Sequence, residues 1–164
     1  MTASFIIGCD PGASGALAWL DADTGGLVVV EDMPHHDGVV SGALIADMVR
    51  RHSGIATTVA WIELVGAMPK QGVSSTFKFG RSYGAIAGAL EALRIPTNYV
   101  TPAKWKSAAG LGKDKGQSRR RAIELWPAHS HMFARVKDDG RAEACLIARH
   151  GFLITNNQPK EPQQ

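Results

Sequence analysis

Residues 5–18 read FIIGCDPGASGALA and join an apolar stretch, a single carboxylate and a tight turn. The apolar stretch predicts a buried β-strand that carries Asp10 at its end, and the Pro11-Gly12 pair then turns the backbone sharply. Charged side chains are seldom buried without a partner, so Asp10 in this position indicates a cation nearby. The small residues up to Ala18 allow a second strand or a substrate backbone to approach closely.

The composition is that of a soluble globular protein. Of the 164 residues, 45% are hydrophobic and 20% are charged, and the formal net charge is +3 at pH 7. We expect a single domain over residues 1–154 and a polar, disordered tail over residues 155–164. No apolar run approaches the roughly 20 residues that span a bilayer, and no signal-like segment is recognisable. We therefore expect a cytoplasmic protein without a membrane partner. Cys9 and Cys145 lie in apolar stretches and are expected to be buried, reduced thiols.

The pattern of apolar and turn-forming residues predicts an antiparallel meander of strands first and alternating elements afterwards. Residues 33–39, with the pair His35-His36, break the pattern and are interpreted as a loop rather than a metal site. Small residues on one side of a long helix, among them Gly80 and Gly84, suit close packing against a sheet. The predicted strands cover residues 5–9, 15–20, 27–31, 57–65 and 96–101, and the predicted helices cover residues 40–52, 72–93, 103–108, a basic segment ending near 126, and 139–151.

Acidic residues stand at three places where a structural carboxylate is least expected. Asp10 ends the first strand, Glu63 is the one charge in an apolar strand, and Glu143 begins an apolar stretch of the last helix. Asp139 lies four residues before Glu143 and shares its face if one helix covers both. Convergence of these carboxylates would require divalent cations to offset their repulsion, and hard oxygen ligands select Mg²⁺ or Mn²⁺.

Each of these residues, taken alone, also fits a structural role. Asp10 fits a turn cap, Glu63 fits the surface of an edge strand, and the pair Asp138-Asp139 fits the N-cap of the last helix. Their joint occurrence in this order favours the metal site.

Three motifs resemble, in the same order, those of the RuvC family of Holliday-junction resolvases, most of all its phage-type members. They are GCDPGASG at residues 8–15, IELV at residues 62–65 followed by Ser74-Ser75 and by GRSYG at residues 80–84, and KDDGRAEA at residues 137–144. The match runs from about residue 5 to residue 151. Sugar kinases and other actin-like ATPases share the first motif, whereas all three in order are specific.

The resemblance implies an RNase H-like α/β fold, in which helices flank a five-stranded mixed sheet made of an antiparallel meander of strands 1–3 and parallel strands 4 and 5. It implies a homodimeric, Mg²⁺-dependent crossover junction endodeoxyribonuclease of DNA recombination and repair, which nicks four-way DNA junctions in symmetric pairs by two-metal-ion hydrolysis. Two Mg²⁺ ions per active site are expected, with Mn²⁺ as a substitute, in a phage-infected or prophage-bearing bacterial host.

By the same resemblance, Asp10, Glu63 and Glu143 fall on the family's first, second and last catalytic carboxylates, and Asp139 or Asp138 falls on the remaining one. All four are expected to bind metal, with Asp10 bridging the two ions. The family places two Asp three residues apart in the last motif, whereas a glycine stands three residues before Glu143 and the last carboxylate is a Glu. We favour Asp139, because a helical spacing of four places it over Glu143, and keep Asp138 as the alternative.

Basic residues cluster between Thr101 and Arg121. Seven Lys and Arg against one Asp give this stretch a local charge of +6, above that of the whole chain. Phosphate backbones favour such clusters through counterion release, and the alternative is a solvated helix face. The segment PAKWK at residues 102–106 resembles a part of the family that carries a DNA-contacting Lys, and Trp105 and Trp126 are interpreted as core or interface anchors. In order of preference, the expected DNA contacts are Lys106, then Lys115 or Lys113, with Lys104 and Arg119 as further candidates.

A second candidate DNA-contacting segment covers residues 66–78. From this position the family inserts an apolar or aromatic side chain at the junction centre, and Met68 is the candidate here. The glycine face of the following helix would pack on the sheet or on its twofold mate, and both possibilities stay open. Further candidate contacts near the helix N-terminus are Lys70, Ser74, Ser75 and Lys78.

Other classes of function share parts of this pattern. An actin-like ATPase or kinase needs a second phosphate loop and an adenosine-binding half, for which 164 residues leave no room, so no nucleotide cofactor is expected. A catalytically idle or RNA-directed RNase H-like nucleic-acid-binding protein, or a nuclease for broader branched or flap DNA, would keep the same fold and stays open.

Overall fold

A five-stranded sheet forms the centre of the computed structural model, which describes residues 3–53, 57–66, 72–112, 114 and 116–157. The order of the strands is β3-β2-β1-β4-β5. The first three form an antiparallel meander, and β4 and β5 continue the sheet in parallel with β1. The predicted mixed sheet is thereby confirmed. The strands are β1 (Phe5–Asp10), β2 (Ala16–Asp21), β3 (Leu27–Asp32), β4 (Thr58–Glu63) and β5 (Thr97–Val100).

Helices cover both faces of the sheet. In the described part of the chain they are α1 (Gly42–His52), α2 (Val73–Ala92), α3 (Pro102–Ala108), α4 (Gln117–Leu125) and α5 (Asp139–Asn157), with 3₁₀ turns at Pro127–Phe133 and Val136–Asp138. Helix α5 extends beyond its predicted end and reaches Asn157, so the first three residues of the expected disordered tail are helical. No helix among the described residues has the length and apolar character needed to cross a membrane.

The segment predicted as a loop between β3 and α1 contains a small hairpin. His35–His36 pairs antiparallel with Val39–Val40. The two turn residues, Asp37 and Gly38, have φ values of 51° and 75°, the positive sign that a tight two-residue hairpin turn requires. The Asp37-Gly38 turn therefore allows this segment to form a hairpin where its composition suggested a loop. Both histidines are exposed.

Side chains alternate along β1 and divide the core into two layers. Ile6 packs with the buried face of α5, and Ile7 and Cys9 pack on the opposite side with residues of α1 and α2. Cys9 and Cys145 are buried free thiols, as predicted, and burial raises the pKa of both.

Helix α2 packs on the sheet through a different face from the one its composition suggested. Its buried residues are Ser82, Ile86 and Leu90. Gly80, Gly84 and Gly88 are exposed, and a Cβ built on each meets no atom within 4 Å. The expectation that these glycines pack against the sheet is wrong, because the branched apolar residues of the same helix make that contact.

Candidate active site

The parallel pairing of β1 with β4 places two of the expected carboxylates side by side. Cys9 is the register partner of Ile62, so Asp10 and Glu63 are the next residues on the two strands. Because side chains alternate between the faces of a sheet, both carboxylates lie on the face opposite to Cys9 and Ile62, which is the face that α5 covers.

Helix α5 crosses this edge of the sheet at very short range. A Cβ at Gly8 would overlap the backbone of Ala144, and a Cβ at Gly140 would overlap the backbone of the turn that follows β1. Gly8 precedes Asp10 by two residues and shares its face of the sheet. Because Gly8 and Gly140 have no side chain, α5 can bring Glu143 close to Asp10.

The pKa of Asp10 reflects this proximity of like charges. Burial, followed by the negative charges of Glu143 and Glu63, raises it to about 7, against smaller opposing effects of the Gly12 amide and Lys106. A carboxyl group in such surroundings ionises readily only when positive charge is supplied. The convergence expected for these three carboxylates is present in the structure.

A cavity of about 730 Å³ opens between the turn after β1, α3, α4 and the start of α5. It contains three of the expected carboxylates and one of the expected basic residues. The residues that line it are Asp10, Ser14, Lys106, Leu111, Gly112, Asp114, Gly116, Gln117, Ser118, Val136, Lys137, Asp139, Gly140 and Glu143.

Glu143 lies in this cavity between two donors. Its carboxylate accepts a hydrogen bond from Ser118 Oγ at 3.3 Å and lies 3.7 Å from Lys106 Nζ. Burial raises the pKa of Glu143, the positive charge of Lys106 opposes this, and Glu63 and Asp139 act in the raising direction. Lys106, the first choice for a phosphate contact, thus stands beside the carboxylates rather than on an outlying surface.

Glu63 is held by a residue whose role the sequence did not indicate. The indole Nε1 of Trp105 donates a hydrogen bond to Glu63 Oε1 at 2.8 Å. Glu63 is 8% exposed and Trp105 is fully buried. The interpretation of Trp105 as a core anchor agrees with its burial, but it did not include the hydrogen bond that the indole N–H donates. In the sequence, only the position of Trp105 directly before Lys106 in a basic segment could have indicated a role at the site.

The two neighbouring aspartates at the start of α5 have different surroundings. Asp138 is 1% exposed and accepts hydrogen bonds from the backbone N–H and the guanidinium of Arg135, with Arg141 nearby. Burial alone would raise the pKa of Asp138, but these arginine contacts outweigh it and lower the pKa. Asp139 lines the cavity and pairs with Arg119 Nε at 2.9 Å. Asp139 begins α5 and stands with Glu143, whereas Asp138 joins the preceding turn to α5.

The candidate DNA contacts are distributed over several parts of the chain. Lys106 lines the cavity, and Arg119 reaches it through Asp139. Lys104 lines a second cavity beside His150, on the α5 side of β5. Ser74, Ser75 and Lys78 are exposed on the first turns of α2. The remaining candidates, Met68, Lys70, Lys113 and Lys115, lie outside the described residues.

The donor set fits a divalent cation in its chemistry. Carboxylate oxygens are the ligands that Mg²⁺ prefers, and the raised pKa of Asp10 and of Glu143 indicates a place where a cation would relieve repulsion. No three His, Cys, Asp or Glu side chains of the described residues are arranged to hold a metal ion. Glu143 and Asp139 are engaged by Ser118, Lys106 and Arg119 instead. Rotation of these two side chains would therefore accompany the binding of an ion.

Comparison with solved structures identifies the fold. The chain superposes on T. thermophilus RuvC in complex with a Holliday junction substrate with a TM-score of 0.70 at 16% sequence identity, covering 93% of this chain and 96% of that chain. It superposes on a second Thermus thermophilus RuvC structure with a TM-score of 0.62 at 18% identity, covering 92% and 95%. A scan against protein-family models and a search of curated proteins find no match. The chain therefore has the RuvC-type, RNase H-like fold that its motifs predicted.

Proposed function

We propose that this protein is a structure-selective endonuclease that resolves four-way DNA junctions by paired, symmetric nicks. One observation carries the proposal: Asp10, Glu63, Asp139 and Glu143 converge beside Lys106 at one edge of the sheet. The RuvC-type fold supports it, because one structural neighbour is a RuvC in complex with a Holliday junction substrate. A purely structural role for these carboxylates would not account for the position of three of them, together with Asp114, around one cavity.

In this proposal the four carboxylates hold two Mg²⁺ ions, for which Mn²⁺ can substitute. Ions bound there would activate a water for in-line attack on phosphorus and stabilise the leaving 3′ oxygen. A cation held beside Asp10 would favour the ionised form of this carboxyl group, whose pKa is raised in the metal-free protein. Lys106 provides fixed positive charge at the cavity wall, and the small residues from Gly12 to Gly15 leave clearance for the scissile phosphate.

The proposed DNA-binding surface includes Lys106 and Arg119 at the cavity, the basic segment around them, and the start of α2. In this proposal Lys104, Lys113 and Lys115 contact the phosphate backbone, as do Lys70, Ser74, Ser75 and Lys78, and Met68 enters the junction centre. These contacts would hold the junction while the cavity receives one strand.

Paired nicks require two active sites, and we propose that α2 forms the contact between two copies. Its glycine face, at Gly80, Gly84 and Gly88, is open to close approach by another backbone. Val73 and Phe77, on the first turns of the same helix, are 88% and 67% exposed. A glycine face beside exposed apolar side chains suits a second helix better than it suits water.

The test is a panel of DNA substrates in the presence of Mg²⁺: a synthetic four-way junction, a linear duplex, a flap and an RNA–DNA hybrid. We expect paired nicks at symmetric positions in the junction and little cleavage of the others. Asp10→Asn should abolish nicking while binding to the junction survives. Preferential cleavage of the hybrid or the flap would favour the RNA-directed or broader nuclease. An Asp10→Asn protein that still nicks junctions would overturn the assignment of the site.

A further inference from the structure

We propose that Trp105 is a positioning residue that holds Glu63 ready to bind a divalent cation. The inference rests on the proposed function, since it assigns a role toward the ion that the carboxylates would hold. It adds to that proposal a residue that carries no charge and that does not touch the substrate.

The hydrogen bond itself is directional and buried. Trp105 Nε1 donates to Glu63 Oε1 at 2.8 Å, with Glu63 8% exposed and Trp105 fully buried. An indole N–H can only donate, and an ionised carboxylate can only accept, so neither group can exchange roles. Water has little access to either side chain, and the carboxylate cannot rotate without losing this donor. The bond therefore selects one orientation of Glu63.

The backbone around Trp105 makes its position rigid. Glu63 is the register partner of Val100 at the end of β5, and α3 begins two residues later at Pro102. Thr101 accepts the amide hydrogen bond of Trp105 at 3.3 Å. The strand that pairs with Glu63 therefore leads directly into helix α3, which carries Trp105.

Consecutive residues of α3 thus contact two different carboxylates. Trp105 holds Glu63 of β4, and Lys106 stands 3.7 Å from Glu143 of α5. The Nζ atom of Lys106 also lies 5.1 Å from the centre of the Trp105 ring. An oriented carboxylate costs less to recruit to a metal than a freely rotating one, and partners that orient metal ligands typically affect metal affinity by about 10- to 100-fold.

The chain offers a matched control for removing this donor. Trp126 is also buried, at 7% exposure, and its Nε1 donates to the backbone carbonyl of Gly25 at 3.1 Å. Trp105→Phe and Trp126→Phe each delete one buried indole N–H and leave a ring in the core. Only the first deletes a donor to a carboxylate of the candidate site.

The experiment measures binding of Mn²⁺ alone to the DNA-free protein by isothermal titration calorimetry, with folding checked by circular dichroism. We expect Trp105→Phe to weaken Mn²⁺ binding by about 10- to 100-fold and Trp126→Phe to change it by less than about threefold. Equal affinities for Trp105→Phe and the original protein would overturn the positioning role and leave the proposed function intact.

Two further outcomes are also decisive. If the original protein itself binds no Mn²⁺, the proposed metal site fails and the role of Trp105 toward it fails with it. If Trp105→Phe does not fold, 3-benzothienylalanine in place of Trp105 keeps the bicyclic ring and removes only the N–H donor. Weakened Mn²⁺ binding by that protein would support the inference, and unchanged binding would refute it.

Discussion

Each carboxylate of the candidate site is held in a different way, and the difference determines what its removal should do. Asp138 is fully satisfied by arginine, and Asp139 is paired with Arg119 at the cavity. Asp10 is surrounded mainly by other acids, and the amide of Gly12 is 3.5 Å from its Oδ1. The arginine contacts of Asp138 stabilise the fold, whereas Asp10 is repelled by neighbouring carboxylates, and a bound cation would remove this repulsion.

The raised pKa of Asp10 predicts a pH-dependent stability of the metal-free protein. Folded Asp10, with a pKa of about 7, keeps a proton that the unfolded chain releases near its usual value of about 3.9. The folded state therefore binds more protons between these values, and this contribution to stability is lost as the pH rises through 7. Asp10→Asn removes the penalty and should stabilise the protein at pH 8 by about 1–3 kcal/mol, with much less effect at pH 4.5.

Urea unfolding in EDTA at several pH values measures this difference. The gap between the two proteins should widen from pH 4.5 to pH 7 and then level off. A gap that is independent of pH would mean that Asp10 ionises normally in the fold.

We expect substitutions of the adjacent Asp138 and Asp139 to have different effects, the first on stability and the second on cleavage. Asp138→Asn should lower the free energy of unfolding by about 1–3 kcal/mol, because a buried acceptor loses its charge beside Arg135. Asp139→Asn breaks a half-exposed ion pair and should change stability by less than about 1 kcal/mol, yet abolish nicking of junctions. Unfolding followed by fluorescence, beside nicking at a temperature where both proteins are folded, distinguishes the two. A stable but inactive Asp138→Asn protein would move the fourth ligand to Asp138.

The packing of α5 against β1 is the contact between elements on which the site depends. The helix approaches so closely because Gly8, Gly140 and Gly151 present no side chain to their neighbours, which are Ala144, the turn after β1 and Trp61. Glycine in a helix or strand costs stability in isolation, so its use here indicates that a short distance matters. That distance determines how far Glu143 stands from Asp10.

Gly8→Ala should therefore damage both stability and the site. The added methyl group would overlap the α5 backbone, and overpacking of this kind costs about 1–3 kcal/mol. The displaced helix should also weaken Mn²⁺ binding by the folded protein. Gly66→Ala is the control, since a Cβ there meets nothing within 4 Å, and it should change the free energy of unfolding by less than about 1 kcal/mol. Equal melting temperatures for the two variants would contradict such close packing.

Positive and negative charges are distributed unevenly over the molecule, and the net charge of +3 does not show this. Acidic side chains line the cavity, and the positive charges of Lys106 and Arg119 lie beside them. A polyanion would thus be attracted to the rim, and divalent cations to the centre. Phosphate binding and cation binding are therefore expected to reinforce each other.

Lys106→Ala tests whether the basic residues beside the cavity contact DNA phosphates. If Lys106 contacts a phosphate, junction binding in EDTA should weaken, and the slope of log affinity against log salt should become shallower by about 1. Arg50→Ala on the exposed surface of α1 removes one positive charge elsewhere and should leave the slope nearly unchanged. Fluorescence anisotropy at several salt concentrations gives both slopes. An unaltered slope for Lys106→Ala would exclude the phosphate contact.

Local chemistry was sufficient to predict the sheet and to single out the four carboxylates of the candidate site. An apolar run ending in Asp10, an apolar strand interrupted only by Glu63, and a helix that begins with Asp139 and carries Glu143 all depend on nearest neighbours and periodicity. The motifs supplied the order of these elements, and the parallel register of β1 with β4 then placed Asp10 beside Glu63. The hairpin at residues 35–40 was missed although Asp37-Gly38 is a typical hairpin turn, because its strands are only two residues long and show no alternating pattern.

Only the tertiary structure decided which polar groups meet across the chain. Trp105 and Glu63 are 42 residues apart, and Ser118 and Glu143 are 25 apart, so no periodicity links them. The different surroundings of Asp138 and Asp139 depend on where Arg135 and Arg119 lie, and the outward glycine face of α2 depends on which side of that helix the core could fill. Sequence patterns specify which side chains are buried, whereas the pairing of buried polar groups follows from how distant elements pack.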